Sequence, residues 1–292
     1  SGSYYTPDIL VQELIESSLI PVIKNRLLQV DNNVSKEKAL LNINVIDPSC
    51  GSGHFLLAAA RQLAIELAQL RSGDNQPNEE DRQHALRDVV TQCIYGVDKN
   101  PLAVELCKVA LWIEAIQPGK PLSFLDSHIQ CGDALVGIFD TKIIDNGIPD
   151  SAYKPLSGDN KSVCSSLKKD NSKELYDYFS SNSNAGLQGS LDFDKPQQNE
   201  EKKYSLQEIE DLPENSISES ILKQKAFIEW ERNTTDMKES LAADLFTAAF
   251  FIDKEIKSRS SLPRTQHLIK LWTNQDIGEC VEIATREVKT KF

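Results

Sequence analysis

The fold is decided by the stretch Asp47-Pro48-Ser49-Cys50-Gly51-Ser52-Gly53-His54-Phe55, which joins a predicted strand to a predicted helix. Glycines let the backbone approach a ligand closely, and the free amides at the start of the following helix favour an anionic group such as a carboxylate or phosphate. A single Gly-x-Gly is weak evidence, so its meaning depends on the sequence on either side.

Three short apolar runs near this loop are predicted strands, at residues 43–47, 94–98 and 128–131. Each run has an acidic residue at or just past its carboxyl end, and helical segments such as 55–70 and 102–116 lie between them. This alternation predicts a parallel α/β sheet with crossover helices. Because open α/β sheets bind ligands at the carboxyl edge of their strands, we expect one polar ligand to lie near all three acids, Asp47, Asp98 and Asp133.

Two Pro-containing sequences predict where helices begin. Thr6-Pro7-Asp8 offers an N-cap, a proline at the first helical position and an acid in the first turn. Asn100-Pro101 repeats this pattern before a second helix. The first of these helices is predicted to carry its apolar positions at Ile9, Leu10, Leu14 and Ile15.

The second half of the chain changes character twice. Residues 140–204 are rich in Ser, Asn, Asp, Lys and Gly and predict a flexible polar insertion. Ser205 then starts a capping box, residues 218–257 carry apolar side chains at helical spacing, and two more helices are predicted at 265–272 and 275–289. We therefore expect an N-terminal α/β part (1–139), an insertion (140–204) and a helical subdomain (205–292).

Composition limits the classes of function. The formal net charge is −12, whereas a surface that neutralises DNA phosphates needs clustered Lys and Arg. The cysteines and histidines have no metal-ligand spacing, so no metal site is predicted. No run of about 18 apolar residues and no secretory signal are found, which predicts a cytoplasmic protein without a membrane segment.

Two common nucleotide-binding loops fit poorly. In a dinucleotide-binding Gly-x-Gly-x-x-Gly motif the third glycine would stand where Leu56 stands. Asp98 also lies 51 positions after Asp47, whereas dinucleotide folds place their acid roughly 20 positions after the glycines. A P-loop is excluded because no Gly-Lys-Ser or Gly-Lys-Thr follows.

With these residues in view, the sequence resembles the S-adenosylmethionine-dependent adenine-N6 DNA methyltransferases, in particular the large bacterial type of restriction-modification and phage-exclusion systems. Four motifs carry the resemblance in the family's order. Gly2-Ser3-Tyr4-Tyr5-Thr6-Pro7 is similar to motif X, residues 47–55 to motif I, residues 96–100 to motif II and residues 131–135 to motif III. The resemblance implies a Rossmann-like methyltransferase sheet, incomplete in this chain, followed by helices.

The resemblance also implies a role for each matching residue. Tyr5 and Thr6 would close over the methionine end of the cofactor, the glycine loop would pass beneath it, and Asp47 would hold the ammonium group directly or through water. Asp98 would accept both ribose hydroxyls. Asp133 would accept from the adenine amine, and the Ala134 amide would pair a ring nitrogen. The implied cofactor-binding set is Tyr5, Thr6, Asp47, Ser49, Gly51, Gly53, Asp98, Lys99, Asp133 and Ala134.

The chain departs from the family at the catalytic motif. Members hold a flipped adenine with an Asn/Asp-Pro-Pro-aromatic tetrapeptide after the fourth strand, and this sequence contains none. Strands four to seven of the sheet are not evident either. The resemblance thus implies S-adenosylmethionine binding, no catalytic residue in this chain, and double-stranded DNA bound mostly by regions outside it.

Several alternatives remain open. The chain could be a non-catalytic interaction module, because strand one without its neighbour would expose an edge open to self-association. The parent protein could instead methylate RNA or a glutamine side chain, since those enzymes share the cofactor motifs. Of the residues near the loop, His54 is interpreted as filling the helix start, and Cys50 and Cys131 as small buried thiols without reactivity.

Overall fold

A computed structural model describes residues 6–181, 205–235, 238–256, 259–273, 275–277 and 279–291 of the chain. The described residues divide into two compact units. Unit 1 comprises the described residues of Ser1–Ala134 and Tyr204–Ile228, and unit 2 those of Leu135–Lys203 and Glu229–Phe292.

A parallel three-stranded sheet forms the centre of unit 1. Its strands are β1 (Val45–Asp47), β2 (Ile94–Asp98) and β3 (Ile129–Cys131), in the order β1-β2-β3. Val45 pairs with Ile94, and Gly96 pairs with Ile129. All three predicted strands are confirmed, as is the predicted fold class of an incomplete parallel α/β sheet with flanking and following helices.

Helices make up most of the remaining described residues, and none of them is long and apolar enough to cross a membrane. A π-helical turn at Ile15–Leu19 joins the first two, and 3-10 turns lie at Thr141–Asn146, Asp150–Tyr153 and Arg259–Ser261. In chain order the α-helices are α1 (Asp8–Leu14), α2 (Ile20–Leu28), α3 (Asn33–Leu41), α4 (His54–Ser72), α5 (Glu79–Gln92), α6 (Pro101–Glu114), α7 (Lys161–Ser181), α8 (Leu206–Glu210), α9 (Ile217–Thr235), α10 (Lys238–Phe251), α11 (Thr265–Trp272) and α12 (Glu279–Lys291).

Helix α4 carries the main core of unit 1. Its Leu63 and Leu67 are fully buried, and they belong to one apolar cluster with Val89 of α5, Ile94 of β2 and Ile129 of β3. The four-residue spacing of the leucines places both on the same face of the helix. Leu56, in the first turn of α4, is buried in the same cluster, so the start of the helix and the glycine loop before it also pack against the sheet.

The N-terminal helix differs from its prediction in two details. Pro7 occupies the N-cap position without a side-chain cap, and the helix begins at Asp8. The helix buries Val11 and the following π turn buries Ile15, while Ile9 is 80% exposed, so the predicted apolar face is rotated. Pro21 explains the π turn that follows, because its ring would clash with the carbonyl four residues earlier in a regular helix.

Residues 205–228 belong to unit 1, whereas the sequence predicts a single helical subdomain over residues 205–292. Glu214 anchors this segment, because its Oε2 accepts a hydrogen bond from the Phe124 amide at 3.0 Å. The Arg87 guanidinium and the Lys223 ammonium lie 3.9 and 3.7 Å from the same carboxylate. All three charged side chains are largely buried, so losing one would leave its partners uncompensated.

Unit 2 is a helical bundle with a buried polar centre at Asn171 on α7. Its Oδ1 accepts hydrogen bonds from the Thr265 amide at 2.9 Å and from the Thr265 hydroxyl at 2.8 Å. Its Nδ2 donates to the Ile148 carbonyl at 2.8 Å. Asn171 is fully buried, and this one amide therefore joins a loop, α7 and the start of α11.

The polar segment 140–204 contains more regular structure than its composition predicts. Residues 141–181 form two 3-10 turns and the 21-residue helix α7, whereas 182–204 lie outside the described residues. The Asn160 side chain caps α7, accepting from the amides of Ser162 and Val163. Among the described side chains of α7, the buried apolar ones are Val163, Cys164 and Leu167, and the surrounding polar composition masks them in the sequence. The functional division of the chain at residues 139 and 204 stays a prediction.

The remaining helix predictions agree well with the structure. Ser205 and Glu208 form the predicted capping box at α8, and α11 spans the predicted residues 265–272. Within 218–257 the described residues form α9, which ends at Thr235, and α10, which spans Lys238–Phe251. The last helix, α12, begins at Glu279, four residues after its predicted start.

We expect Leu63→Ala to lower the free energy of unfolding by about 2 to 5 kcal/mol, because the truncation leaves a cavity at the centre of unit 1. Urea unfolding followed by circular dichroism measures this. Ile65→Ala is the matched control, since Ile65 lies on the same helix and is 36% exposed. Equal losses in the two variants would contradict the assignment of the core to this face of α4.

Candidate functional site

The candidate site lies at the carboxyl edge of the sheet, where each strand is followed by an acidic residue. Asp47 ends β1, Asp98 ends β2, and Asp133 follows β3 by two residues. Cys131 pairs with Asp98 in the sheet, and the Gly132 amide donates to the Asp98 carbonyl at 3.0 Å. The order of the strands therefore places the three predicted acids along one edge.

The glycine loop closes tightly between β1 and α4. Asp47 Oδ1 accepts from the Ser49 amide at 3.0 Å, and the Cys50 amide donates to the Val97 carbonyl at 2.9 Å. Gly51 and Gly53 adopt φ angles of 54° and 87°, which residues with a side chain rarely adopt. Gly53 is also the N-cap of α4. The loop thus presents backbone to the edge of the sheet, as the sequence predicts.

Asp98 connects the strand edge to this loop. Its Oδ2 accepts a hydrogen bond from the Gly51 amide at 2.9 Å, and its Oδ1 accepts from the Asn100 amide at 2.8 Å. An ionised carboxylate has about four lone-pair sites, so after accepting these two hydrogen bonds each oxygen can still accept one from a hydroxyl. Asn100 in turn caps α6 by accepting from the Leu102 amide, which is the predicted role for that residue.

The third acid pairs with a lysine. Lys99 Nζ lies 3.4 Å from Asp133 Oδ2, and the Asp133 side chain is 23% exposed while that of Lys99 is 59% exposed. This ion pair orients the Asp133 side chain toward Lys99, which directly follows β2. Ala134 follows it and is half-buried.

The N-terminal part of the predicted site is described only from Thr6 onward. Thr6 is half-buried, and Tyr5 lies outside the described residues, as does most of the motif X resemblance. Two residues after Thr6, Asp8 Oδ1 lies 2.9 Å from His54 Nε2. His54 starts α4, as predicted, but the contact with Asp8 is one that the sequence analysis did not foresee.

Two thiols meet at the loop, Cys50 within it and Cys107 on α6, and the sequence did not point to Cys107. Cys50 and Cys107 form a side-chain hydrogen bond, which together with burial raises the pKa of Cys107. An ideal Cβ on Gly53 would lie 2.7 Å from the Cys107 sulfur, so α6 packs directly against the glycine. No local pattern marks Cys107, because it is 54 positions from Gly53 in the chain. Cys131 is exposed, in contrast to the expected burial.

The site offers acceptors for hydroxyl and ammonium groups and a backbone surface for a ligand that passes over the loop. In the part of the chain that the structure describes, no group of three or more His, Cys, Asp or Glu side chains could hold a metal ion. The arrangement is suited to holding and orienting an organic ligand that carries both hydroxyls and a cation.

Comparison with known protein families agrees with this geometry. The family model described as Eco57I restriction-modification methylase matches residues 92–252, which is more than half of the chain. The chain therefore belongs to this family, and the methyltransferase resemblance found in its motifs is confirmed. A second family model, the DNA-methyltransferase domain of MmeI, matches residues 26–135 and so includes the glycine loop and β1 to β3. Membership in a methyltransferase family implies a methyl donor.

Curated relatives are similar to about half of the chain. The chain is 26% identical over 181 residues to the putative type II restriction enzyme and methyltransferase RM.MjaORFECS2P of Methanocaldococcus jannaschii, covering 49% of the chain and 15% of that protein. It is 26% identical over 138 residues to the adenine-specific methyltransferase PglX of Streptomyces coelicolor, covering 45% and 10%. It is 24% identical over 148 residues to the type II restriction enzyme and methyltransferase RM.Eco57I of Escherichia coli, covering 45% and 14%.

The chain thus spans only a small part of the length of these relatives. No solved structure matches it significantly.

We expect Gly53→Ala to lower the thermal midpoint of unfolding more than Gly51→Ala does. Both substitutions place a side chain at positive φ, which costs about 1 to 2 kcal/mol. Only the Gly53 methyl also meets a neighbour, because a Cβ on Gly51 has no heavy atom within 4 Å. The double variant Gly53→Ala/Cys107→Ala should lose less than the two single losses combined. Additive losses would show that the contact with Cys107 is unimportant.

Proposed function

We propose that this chain binds S-adenosylmethionine at the carboxyl edge of its sheet, as the cofactor-binding part of a DNA adenine-N6 methyltransferase from a restriction-modification or phage-defence system. The observation that carries the proposal is the Asp98 carboxylate. It stands at the end of β2, fixed by the amides of Gly51 and Asn100, and it borders a glycine loop. Membership in a family of restriction-modification methylases supports it.

The residues around Asp98 fit the nucleoside half of this cofactor. Asp98 accepts hydrogen bonds from both ribose hydroxyls through the lone pairs that its two hydrogen bonds from backbone amides leave available. Asp133 accepts from the exocyclic amine of the adenine, and the Ala134 amide pairs a ring nitrogen. Lys99 contributes by holding the Asp133 carboxylate in place, which its 3.4 Å separation supports.

The loop after β1 fits the methionine half. Gly51 leaves room for the ligand, because a Cβ there would have no heavy atom within 4 Å, whereas Gly53 lets the loop pack closely on Cys107. Asp47 attracts the ammonium group directly or through water. Ser49 belongs to the same tight turn, because its amide donates a hydrogen bond to the Asp47 side chain. The motif resemblance assigns Thr6 and Tyr5 to this end as well, and of these two only Thr6 lies within the described residues. S-Adenosylmethionine supplies a methyl group on a sulfonium, and these residues bind and orient it.

Methyl transfer itself belongs to the parent protein in this proposal. The 292-residue sequence contains no Asn/Asp-Pro-Pro-aromatic tetrapeptide to hold a flipped adenine, and its formal net charge of −12 disfavours a DNA grip. Double-stranded DNA is therefore the parent protein's substrate, bound mainly by residues that this chain does not contribute.

Isothermal titration of the chain with S-adenosylhomocysteine tests the proposal. We expect saturable binding that weakens at least about 100-fold in Asp98→Ala, because two hydrogen bonds to a charged group are lost. Asp31→Ala is the matched control, since Asp31 is an exposed acid in a loop of unit 1. Circular dichroism establishes that each variant is folded. A folded wild-type chain that does not bind would overturn the proposal.

We also expect no incorporation of labelled methyl groups into DNA when the chain is incubated with labelled S-adenosylmethionine, because it contributes no catalytic residue. Scintillation counting of the recovered duplex measures this. A related methyltransferase of known activity serves as the positive control. Methyl transfer above background by the chain would show that its catalytic residues differ from the family's tetrapeptide.

A second candidate, a non-catalytic interaction module that self-associates, is favoured by one observation. Within the described residues β1 pairs only with β2, its Ile46 is 65% exposed, and an apolar groove of about 420 Å³ runs beside it. Light scattering separates the two functions. A monomer that binds the cofactor supports the methyltransferase proposal, whereas an oligomer without affinity for the cofactor supports the module. A parent protein acting on RNA or glutamine would share the same cofactor binding.

A further inference from the structure

We infer that the outward face of helix α6 is the surface through which two copies of this chain pair as an antiparallel dimer. Five aliphatic residues form this face, which we call the α6 stripe: Leu102, Leu106, Val109, Ile113 and Ile116. The inference goes beyond the proposed function, because it concerns a different surface of unit 1 and does not depend on cofactor binding.

The α6 stripe lies in solvent and not in the core. Its five side chains are between 43% and 68% exposed. The buried residues Val104, Cys107 and Leu111 lie on the other side of the helix, because each is two residues, or about half a turn, from a stripe position. The outward face of a surface helix is normally polar, and a contiguous exposed apolar patch marks a binding surface.

The spacing of the stripe indicates that its partner is another helix. Its positions are four, three, four and three residues apart, which is the alternation of a coiled-coil seam with a period of about 3.5 residues. The side chains of such a seam insert between those of a facing helix. Helix α6 has 14 residues and is therefore about 21 Å long, and Ile116 lies two residues beyond its end.

A second copy of α6 is complementary to this seam when it runs in the opposite direction. Setting Leu106 opposite Val109 of the second copy also sets Leu102 opposite Ile113 of that copy. The two-fold axis repeats both contacts, so four of the five stripe residues meet an apolar partner. Such an interface uses the same patch on both copies and closes at two chains.

The residues beside the stripe allow this approach. Ala103 and Ala110 flank one side and are half-buried, and small side chains let two helix axes come close together. The other side carries Glu105, whose carboxylate is paired within its own helix by Lys108 at 3.2 Å. The antiparallel register sets Glu105 level with Ala110 of the second copy, so the two Glu105 side chains are not opposed.

The charges at the start of α6 favour the antiparallel direction. Asp98 accepts from the amide of Asn100, the N-cap of α6, so the acidic strand edge adjoins the start of the helix. A parallel pair would bring two acidic edges together. An antiparallel pair sets them about 21 Å apart, well beyond the screening length of about 8 Å at physiological salt. It also separates the like ends of the two helix dipoles.

The area of the stripe sets the strength of the dimer. Five aliphatic side chains at this exposure make a patch of roughly 300 to 600 Å². Two such patches bury on the order of 1,000 Å², which is near the lower limit for a specific interface. We therefore expect a reversible dimer with a Kd of about 1 to 100 μM. The net charge of −12 on each copy opposes pairing, so added salt should strengthen it.

Sedimentation equilibrium of the 292-residue chain, over about 1 to 300 μM, tests the inference. Leu106→Glu and Ile113→Glu should each raise the dimer Kd at least about 10-fold, because each places a carboxylate in the apolar seam. Val34→Glu is the matched control, since Val34 is an apolar residue of α3 that is 78% exposed. It should leave the Kd unchanged. Circular dichroism establishes that each variant is folded.

Cysteine cross-linking tests the direction of the helices. The variants are made in a Cys131→Ser background, which removes the exposed native thiol. Diamide should link tagged Leu106→Cys to untagged Val109→Cys, because the antiparallel register sets these positions opposite each other. Linkage of Leu106→Cys to itself in preference to Val109→Cys would overturn the antiparallel arrangement.

Two further results would overturn the inference. One is a wild-type chain that stays monomeric over the whole concentration range. The other is a dimer whose Kd is unchanged in Leu106→Glu and Ile113→Glu, and loss of that dimer in Ile46→Glu would place the contact at the open edge of β1. Neither result bears on S-adenosylmethionine binding, which isothermal titration measures separately.

Discussion

The hydrogen bond from the Gly51 amide to Asp98 is the interaction on which the site depends. It joins residues 47 positions apart, and it fixes the loop after β1 to the end of β2. The bond can form only because β1 and β2 are parallel neighbours, so that their carboxyl ends lie at the same edge. A carboxylate that already accepts two amides is oriented before any ligand arrives, which lowers the ordering cost of binding.

The close packing of the loop restricts which residues can occupy it. Gly53 leaves no space for a side chain above the Cys107 sulfur, and a Cβ on Gly96 would lie 2.9 Å from Leu56 and 3.0 Å from Cys50. Strand β2 and helix α6 thus pack against the loop from two directions. The tight backbone that makes the site accessible to a ligand is at the same time part of the core of unit 1.

The elements that short sequence patterns mark could be predicted from the sequence. The strands, the Asn100 cap, the Ser205 capping box and the order of Asp47, Asp98 and Asp133 all follow from short patterns, and the structure has them. What the sequence could not show are contacts between distant positions. Cys107 beneath Gly53, Asp8 against His54 and Glu214 against Arg87 have no spacing rule, because tertiary packing alone brings them together. Helix α7 was missed because its buried face is small within a polar composition.

Charge gives the proposed division of labour a physical basis. Three aspartates at the sheet edge suit a cofactor whose binding groups are hydroxyls, an amine and an ammonium, and the acidic excess of −12 strengthens the attraction for a cationic ligand. The same field repels the phosphates of DNA, which carry one charge per roughly 1.7 Å of duplex. A chain that favours the cation of the cofactor in this way is poorly suited to grip the duplex. The proposed function is therefore consistent with a DNA-binding surface contributed by another part of the proposed enzyme, near the edge where the three aspartates lie.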